Sequence, residues 1–396
     1  MKKETVKIQW VVALGAAFAW FGQHCGSGFF SGLQMVKYFT NAGWLSLFTT
    51  MFPFVVLGFV FYYMGEYARL IHAKSYKDVA ETLYSKNKMI GNVMVTFFDI
   101  IIMGSVLITS STVLAGAGTL MNQAFGINYT FATVLFTGVV VLISMFGATV
   151  LAKINLPLGI VMTGTIVIVA FALISKNWGG LAEVVKSKDT FGVSSGTAIG
   201  NMLYYTGLQT GFCGAFMAIA GQFTSKKDNL VVAVFGAFVN FFMLFIVSLA
   251  ILSRMPGIAS SLIPLYDMVN EISSSGFLSA VYTLGLFLAY VSTSDVVAAT
   301  SRFGILINRK KRHNQVFVDM ILAIVLLSIS LALAQLGIAA LVDGGYKFLS
   351  VLRGPVYIIG GLIFAPWRIR QIKKRMKEDG ESATEIDVSE TEITVS

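Results

Sequence analysis

The sequence predicts an all-α, polytopic membrane protein, and three observations carry that expectation. Apolar residues make up 56% of the 396-residue chain and charged residues only 12%. Mean hydropathy is +0.77, far outside the range of soluble domains of this size. The apolar residues also fall into about ten segments long enough to cross a bilayer, which takes roughly 20 residues each.

The segments run approximately 8–40, 44–67, 89–124, 130–146, 150–175, 196–222, 229–254, 276–308, 315–337 and 345–366. The third and eighth exceed the thickness of a bilayer, so tilt or projection beyond it is expected. Lys2, Lys3 and the first apolar run resemble a secretory signal. Cleavage there would cut into a Gly-rich stretch and leave many spans behind it, so an uncleaved first span is expected.

Charge sets the expected orientation. With the N-terminus inside, 21 Lys and Arg fall on the inner side and six on the outer side, while Arg302 and Arg353 lie within spans. That bias predicts both termini in the cytoplasm of a cell whose plasma membrane holds the protein. The net charge of +9 therefore reports topology and not nucleic-acid binding. Lys153, near the inner start of the fifth segment, fits the same role.

Three connections are more than simple loops. Residues 68–88 are expected to hold an amphipathic cytoplasmic helix, with His72 solvated in it. Residues 178–195 and 256–275 are longer outer loops, and the second is expected to hold a short helix capping an entrance. The chain divides into a transmembrane domain, 1–367, and a tail, 368–396. The tail begins with six basic residues suited to an anionic lipid leaflet. Residues 378–396 carry seven acidic and no basic residues, the composition of a disordered segment. His313 lies in a basic inner segment.

The functional signal is a pair of interruptions. Residues 22–32 read GQHCGSGFFSG and residues 206–216 read TGLQTGFCGAF. Each places glycines among amides, hydroxyls and a thiol in mid-span. Backbone freed within a membrane survives only where protein or a water-filled cavity satisfies it. Close packing of small residues between helices is the alternative. Five segments precede the second interruption and four follow it, so the chain divides into two repeats of five, about 8–175 and 196–366. The odd number inverts one repeat relative to the other. Paired interrupted helices at matching positions of two halves point to a transporter's binding site. Both are expected to be non-helical, around residues 23–28 and 206–210, and to face each other near mid-membrane.

The run Gly26-Ser27-Gly28-Phe29-Phe30-Ser31-Gly32-Leu33-Gln34 matches a first-helix pattern of small residue, Gly-Phe, small residue, Gly and a polar residue. On that motif the chain resembles the YkvI-like family of bacterial membrane proteins, within the amino acid–polyamine–cation superfamily that shares the LeuT fold. The resemblance covers the ten spans and excludes the acidic tail. It implies a LeuT-like 5+5 inverted repeat with discontinuous first and sixth helices. It also implies a solute held at mid-membrane: the amides around Gly26, Ser27 and Gly28 receive a carboxylate, and Thr206, Gly207, Gln209 and Thr210 complete the pocket. Gln23 and Gln209 can each donate and accept. Tyr205 is expected either to supply an aromatic wall or to serve as a plain packing residue, and His24 to line the pocket or carry a proton. Gln34 stands where family members often carry an acid, so no carboxylate role transfers to it.

In sodium-coupled relatives, hydroxyls of the eighth span join carbonyls of the first break. Here those are Ser292, Thr293 and Ser294 with Gly22 and Cys25. Two intramembrane carboxylates, Asp295 and Asp99, are candidate proton carriers, since a charge at that depth is costly. For Asp295 an ion pair with Arg302 or Arg353 competes. Na⁺ or H⁺ is thus the expected coupling ion, with no other cofactor. His24, Cys25 and Cys213 fall in the breaks, but the Asp-Pro-Gly motif of metal-transporting relatives is absent. A Walker sequence and a nucleophile–base pair are absent too, which argues against an ATP-driven pump and an enzyme. The expected function is secondary transport of a small amino-acid-like solute. The alternative is a germinant-receptor-like sensor on the same fold. Solute and membrane lipid are the expected partners.

Overall fold

The structure is a computed structural model. It describes residues 8–144, 147–274, 276–292 and 314–378, without the side chains of residues 27, 143–144, 147–159 and 292. Every regular element among these residues is helical.

Four helices are long and apolar enough to cross a membrane: Lys88–Phe125, Lys226–Leu252, Gln315–Ala334 and Ile338–Glu378. Two bent pairs pass the same test. Thr40–Thr49 and Phe52–Leu70 meet at 49°, and Ile160–Lys176 and Trp178–Ser187 at 73°. Tyr129–Leu142 and Phe277–Val291 are shorter apolar helices. The first and sixth apolar segments are missing from these counts because their breaks cut them into pieces. The longest piece of the first is Trp10–His24, 15 residues, and that of the sixth is Ser195–Leu208, 14 residues.

The breaks are where the sequence puts them, with different internal structure. In the first segment, helix ends at His24, resumes for one turn over Ser27–Phe30, and resumes again at Leu33–Tyr38. The expected gap of 23–28 is therefore two shorter gaps, at Cys25–Gly26 and Ser31–Gly32. Gly32 takes φ +85°, which glycine alone tolerates easily. In the sixth segment, residues 206–208 remain α-helical. The departure falls at Gln209–Phe212, a 3₁₀ turn, before helix resumes over Cys213–Ala220. Tightening to i→i+3 bonds narrows the helix while leaving fewer carbonyls unbonded than an open gap.

Neighbouring elements satisfy the backbone around the second gap. The Ser31 carbonyl accepts from Leu265 N–H at 3.1 Å. The Phe30 carbonyl accepts from the Tyr282 hydroxyl. Leu265 belongs to Pro264–Ile272, the short helix expected within 256–275. The other long loop also holds a helix, Trp178–Ser187.

Between the second and third segments lies Tyr76–Leu83, closed at its start by a capping box of Ser75 and Asp78. The basic start of the tail is no separate unit: Ala365–Glu378 continues the last helix without a gap. The acidic stretch beyond it lies outside the described residues.

Candidate functional site

A cavity of about 40 Å³ lies between the two broken segments. The first segment lines it with Trp20, Gln23, His24, Gly26 and Gln34, and the sixth with Leu208, Gln209, Gly211 and Phe212. Thr109 of Lys88–Phe125 and Tyr346 and Arg353 of Ile338–Glu378 close it. Two non-contiguous interruptions thus converge on one space, which only packing could establish.

His24, the last residue of its helix, anchors a polar chain. Its Nδ1 lies 2.8 Å from Asn240 Oδ1, and its Nε2 lies 2.5 Å from the Tyr205 hydroxyl. The Asn240 amide donates its N–H to the Gly236 carbonyl at 2.7 Å, so its oxygen faces His24 as an acceptor. A neutral His24 must then carry its proton on Nδ1 and accept at Nε2 from the Tyr205 O–H. Phe29 and Phe54 pack round the imidazole, with ring centroids at 4.4 and 4.9 Å. The chain ties the first break to the sixth segment through Tyr205 and to the seventh through Asn240.

Arg353 closes the opposite wall. It is 6% exposed. It donates through Nη1 to Ser105 Oγ at 3.0 Å and through Nη2 to the carbonyl of Leu208, the last residue before the 3₁₀ turn. Its guanidinium also fills the space beside Gly211, where a Cβ would come within 2.9 Å of Nη1. The guanidinium therefore stabilises the carbonyl end of the interrupted helix, where a partial negative charge gathers.

The expected solute-binding residues divide into two groups. Gln23, His24, Gly26 and Gln209 line the cavity; Tyr205 stands behind His24 and does not. Ser27 begins the one-turn helix of the break. Gly28 does not line the cavity but makes room for Gln34: a Cβ there would lie 2.6 Å from Gln34 Nε2. Thr206 and Thr210 turn inward on their own helix, donating to the Met202 and Gly207 carbonyls at 2.8 and 2.7 Å. Gly207 packs against Ser350 and Gly354 of the last helix, with its Cα 2.8 Å from where a Gly354 Cβ would be. For Gly207 the small-residue packing alternative holds.

Of the expected ion-coupling residues, Gly22 and Cys25 flank the end of the first helix, and Cys25 is buried. Ser292 is the last residue of Phe277–Ser292. Thr293, Ser294 and Asp295 lie outside the described residues, as does Arg302. Asp99 is described, and it sits away from the cavity. Its carboxylate accepts from the Tyr76 hydroxyl and pairs with Lys77 at 3.1 Å. Its side chain is 32% exposed. Among the described residues no group of three or more His, Cys, Asp or Glu is placed to hold a metal.

The cavity residues outside the expected set are Trp20, Gln34, Thr109, Leu208, Gly211, Phe212, Tyr346 and Arg353. Arg353 carried a usable signal, a guanidinium in an apolar span. Trp20 and Thr109 look like ordinary span residues in one dimension.

No family model matches the chain, and no curated protein matches it. Solved structures do. A Na⁺-coupled sialic acid symporter in a substrate-bound, outward-open state is 14% identical, with TM-score 0.60 over 90% of each chain. A manganese transporter from Eremococcus coleocola is 15% identical, with TM-score 0.60 over 91% of this chain and 84% of that one. MhsT in complex with L-phenylalanine is 13% identical, with TM-score 0.59 over 93% of this chain and 99% of that one. These three are LeuT-fold transporters, and the likeness extends over nine-tenths of the chain. The protein has the LeuT fold.

Proposed function

We propose that the chain is a secondary active transporter of a small amino-acid-like solute, coupled to Na⁺ or H⁺, that alternates access around the cavity between its two broken segments. The observation that carries this is the convergence of Gln23, His24 and Gly26 with Leu208, Gln209 and Gly211 on one space. Broken helices that face each other present backbone dipole ends to a ligand, and rocking one bundle against the other exposes them to either side. The solved neighbours of the same fold support transport. One carries sialic acid with Na⁺ and one binds L-phenylalanine.

Counterflow of labelled amino acids into proteoliposomes tests the reading. Exchange of an internal for an external amino acid is the expected result. Binding without exchange would favour a sensor built on the same fold.

For the coupling ion the reading is sodium. The carbonyls of Gly22 and Cys25 belong to the first break, and the hydroxyls of Ser292 and Thr293 belong to the eighth segment. Na⁺ is a hard cation that takes such oxygens. Full replacement of Na⁺ by choline is expected to stop uptake, and Thr293→Ala to raise the Na⁺ concentration needed for half-maximal rate. Undiminished uptake in choline would instead point to protons.

A further inference from the structure

Among the residues that line the cavity, Trp20 and Gln34 each carry a buried polar atom with no hydrogen-bond partner, the indole N–H and the amide carbonyl oxygen. Gln34 is 4% exposed and Trp20 is 1% exposed. The neighbouring His24 is engaged by Asn240 and Tyr205.

The backbone holds both groups in place. Gln34 rises from Leu33–Tyr38, just past the second gap, and its side chain folds back onto Gly28. A Cβ on Gly28 would lie 2.6 Å from its Nε2 and 3.0 Å from its Cδ, so only glycine leaves room for the amide. Trp20 stacks on Phe61, with centroids 3.9 Å apart and planes at 13°. Its Cε3 edge meets the space above Gly236 at 2.7 Å. The N–H lies on the opposite long edge of the indole.

A buried donor and a buried acceptor left unsatisfied destabilise the fold, and such groups are rare in native structures. Their presence in one cavity points to a missing partner that supplies both an oxygen and an N–H. The cavity has room for about three waters, at roughly 10–15 Å³ each, so in this conformation it takes a polar head group. No carboxylate lines it among the described residues, so a net cationic solute would find no counter-charge there.

We propose that Trp20 and Gln34 are the pair that reads the solute. The Trp20 N–H donates to an oxygen of the solute and the Gln34 carbonyl accepts its N–H, which selects a zwitterionic α-amino acid over a polyamine. The assignment rests on the transporter reading above and names the class of its solute.

The test uses the full chain purified in detergent, with the twenty free L-amino acids and putrescine as probes. Thermal shift finds the amino acids that bind, and calorimetry gives their Kd. Gln34→Met keeps the shape and removes the amide. It is expected to raise the melting temperature without amino acid and to raise Kd at least tenfold, or about 1.4 kcal/mol. Trp20→Phe keeps the stack and loses the N–H, with a similar weakening. A Gln34→Met protein with unchanged Kd overturns the assignment and leaves the transporter reading standing. So does wild-type protein that binds putrescine more tightly than any amino acid. If no amino acid shifts the wild-type melting temperature, the amino-acid reading fails and this one fails with it.

Discussion

His24 shows how one buried side chain can order a site. Its ring has two nitrogens with opposite roles, and the structure fixes which is which. Asn240 is committed to the Gly236 carbonyl through its N–H, so its oxygen fixes the His24 proton on Nδ1. Tyr205 then has to donate. Tyr205→Phe would keep the ring packing against Phe39 and leave His24 Nε2 without a donor. The cost of an unsatisfied buried acceptor is about 1–3 kcal/mol, and a lower melting temperature is the expected outcome. Asp99 makes the opposite case. Its partners are Lys77 and Tyr76, and its ion pair is about one-third exposed. Asp99→Asn is therefore expected to change stability by less than about 1 kcal/mol, read by thermal unfolding, and to leave transport coupled. Loss of coupling in that variant would restore the carboxylate to the transport mechanism.

At the scale of elements, the two interruptions are built differently. The first is two gaps, and around the second the carbonyls of Ser31, Gly28 and Phe30 accept from Leu265 N–H and from the Ser31 and Tyr282 hydroxyls. The second is a 3₁₀ turn whose leading carbonyl, Leu208, is held by Arg353. Their glycines differ in purpose as well. Gly207 sits where the sixth segment crosses the last helix, and a Cβ on it would strike Ser350. Gly15 has nothing within 4 Å of its missing Cβ. Gly207→Ala is expected to cost about 1–3 kcal/mol through overpacking. Gly15→Ala is expected to be neutral or to gain up to about 1 kcal/mol from helix propensity. Thermal unfolding of the two variants in parallel checks both. Equal effects would mean that the crossing relaxes freely.

At the scale of the molecule, the ends of three segments are held by one buried carboxylate. Glu66, near the end of Phe52–Leu70, accepts from Arg69 at 2.8 and 2.9 Å and from Asn229 Nδ2 at 3.5 Å, and Lys373 Nζ lies 3.8 Å from it. The N–H of Gln9, just before the first helix, donates to Asp228 at 2.8 Å. These contacts close the end of the molecule that charge counting assigns to the cytoplasm. In the alternating-access cycle proposed above, opening that side would require them to break. Removal of Glu66 as Glu66→Ala would leave Arg69 without its carboxylate in a buried setting. The expected loss is about 3 kcal/mol, visible in the melting temperature. Truncation of residues 378–396 bears on a different part of the chain. A segment with seven acidic and no basic residues cannot bury a core, so the truncated protein is expected to fold and to keep its uptake rate. Loss of membrane insertion would contradict that.

Hydropathy and spacing alone determined that this chain is helical, that it has the composition of a membrane protein, and that its first and sixth segments are interrupted. Such properties are local: apolar runs, charge bias and glycine runs act on the few residues around them. The short helix within 256–275 and the one within 68–88 were legible for the same reason. Which glycines open a cavity and which close a helix crossing was decided by tertiary structure, because Gly26 and Gly207 look alike in sequence and differ only in what packs against them. The shift of the second departure from 206–210 to Gln209–Phe212 has a similar cause, since Ser350 and Gly354 pack against residue 207 and Arg353 donates to the Leu208 carbonyl. Trp20, Gln34 and Arg353 entered the site by the same route. A polar group's role in a membrane interior depends on whether a partner lies within about 3 Å, and that is a property of packing between segments far apart in the chain.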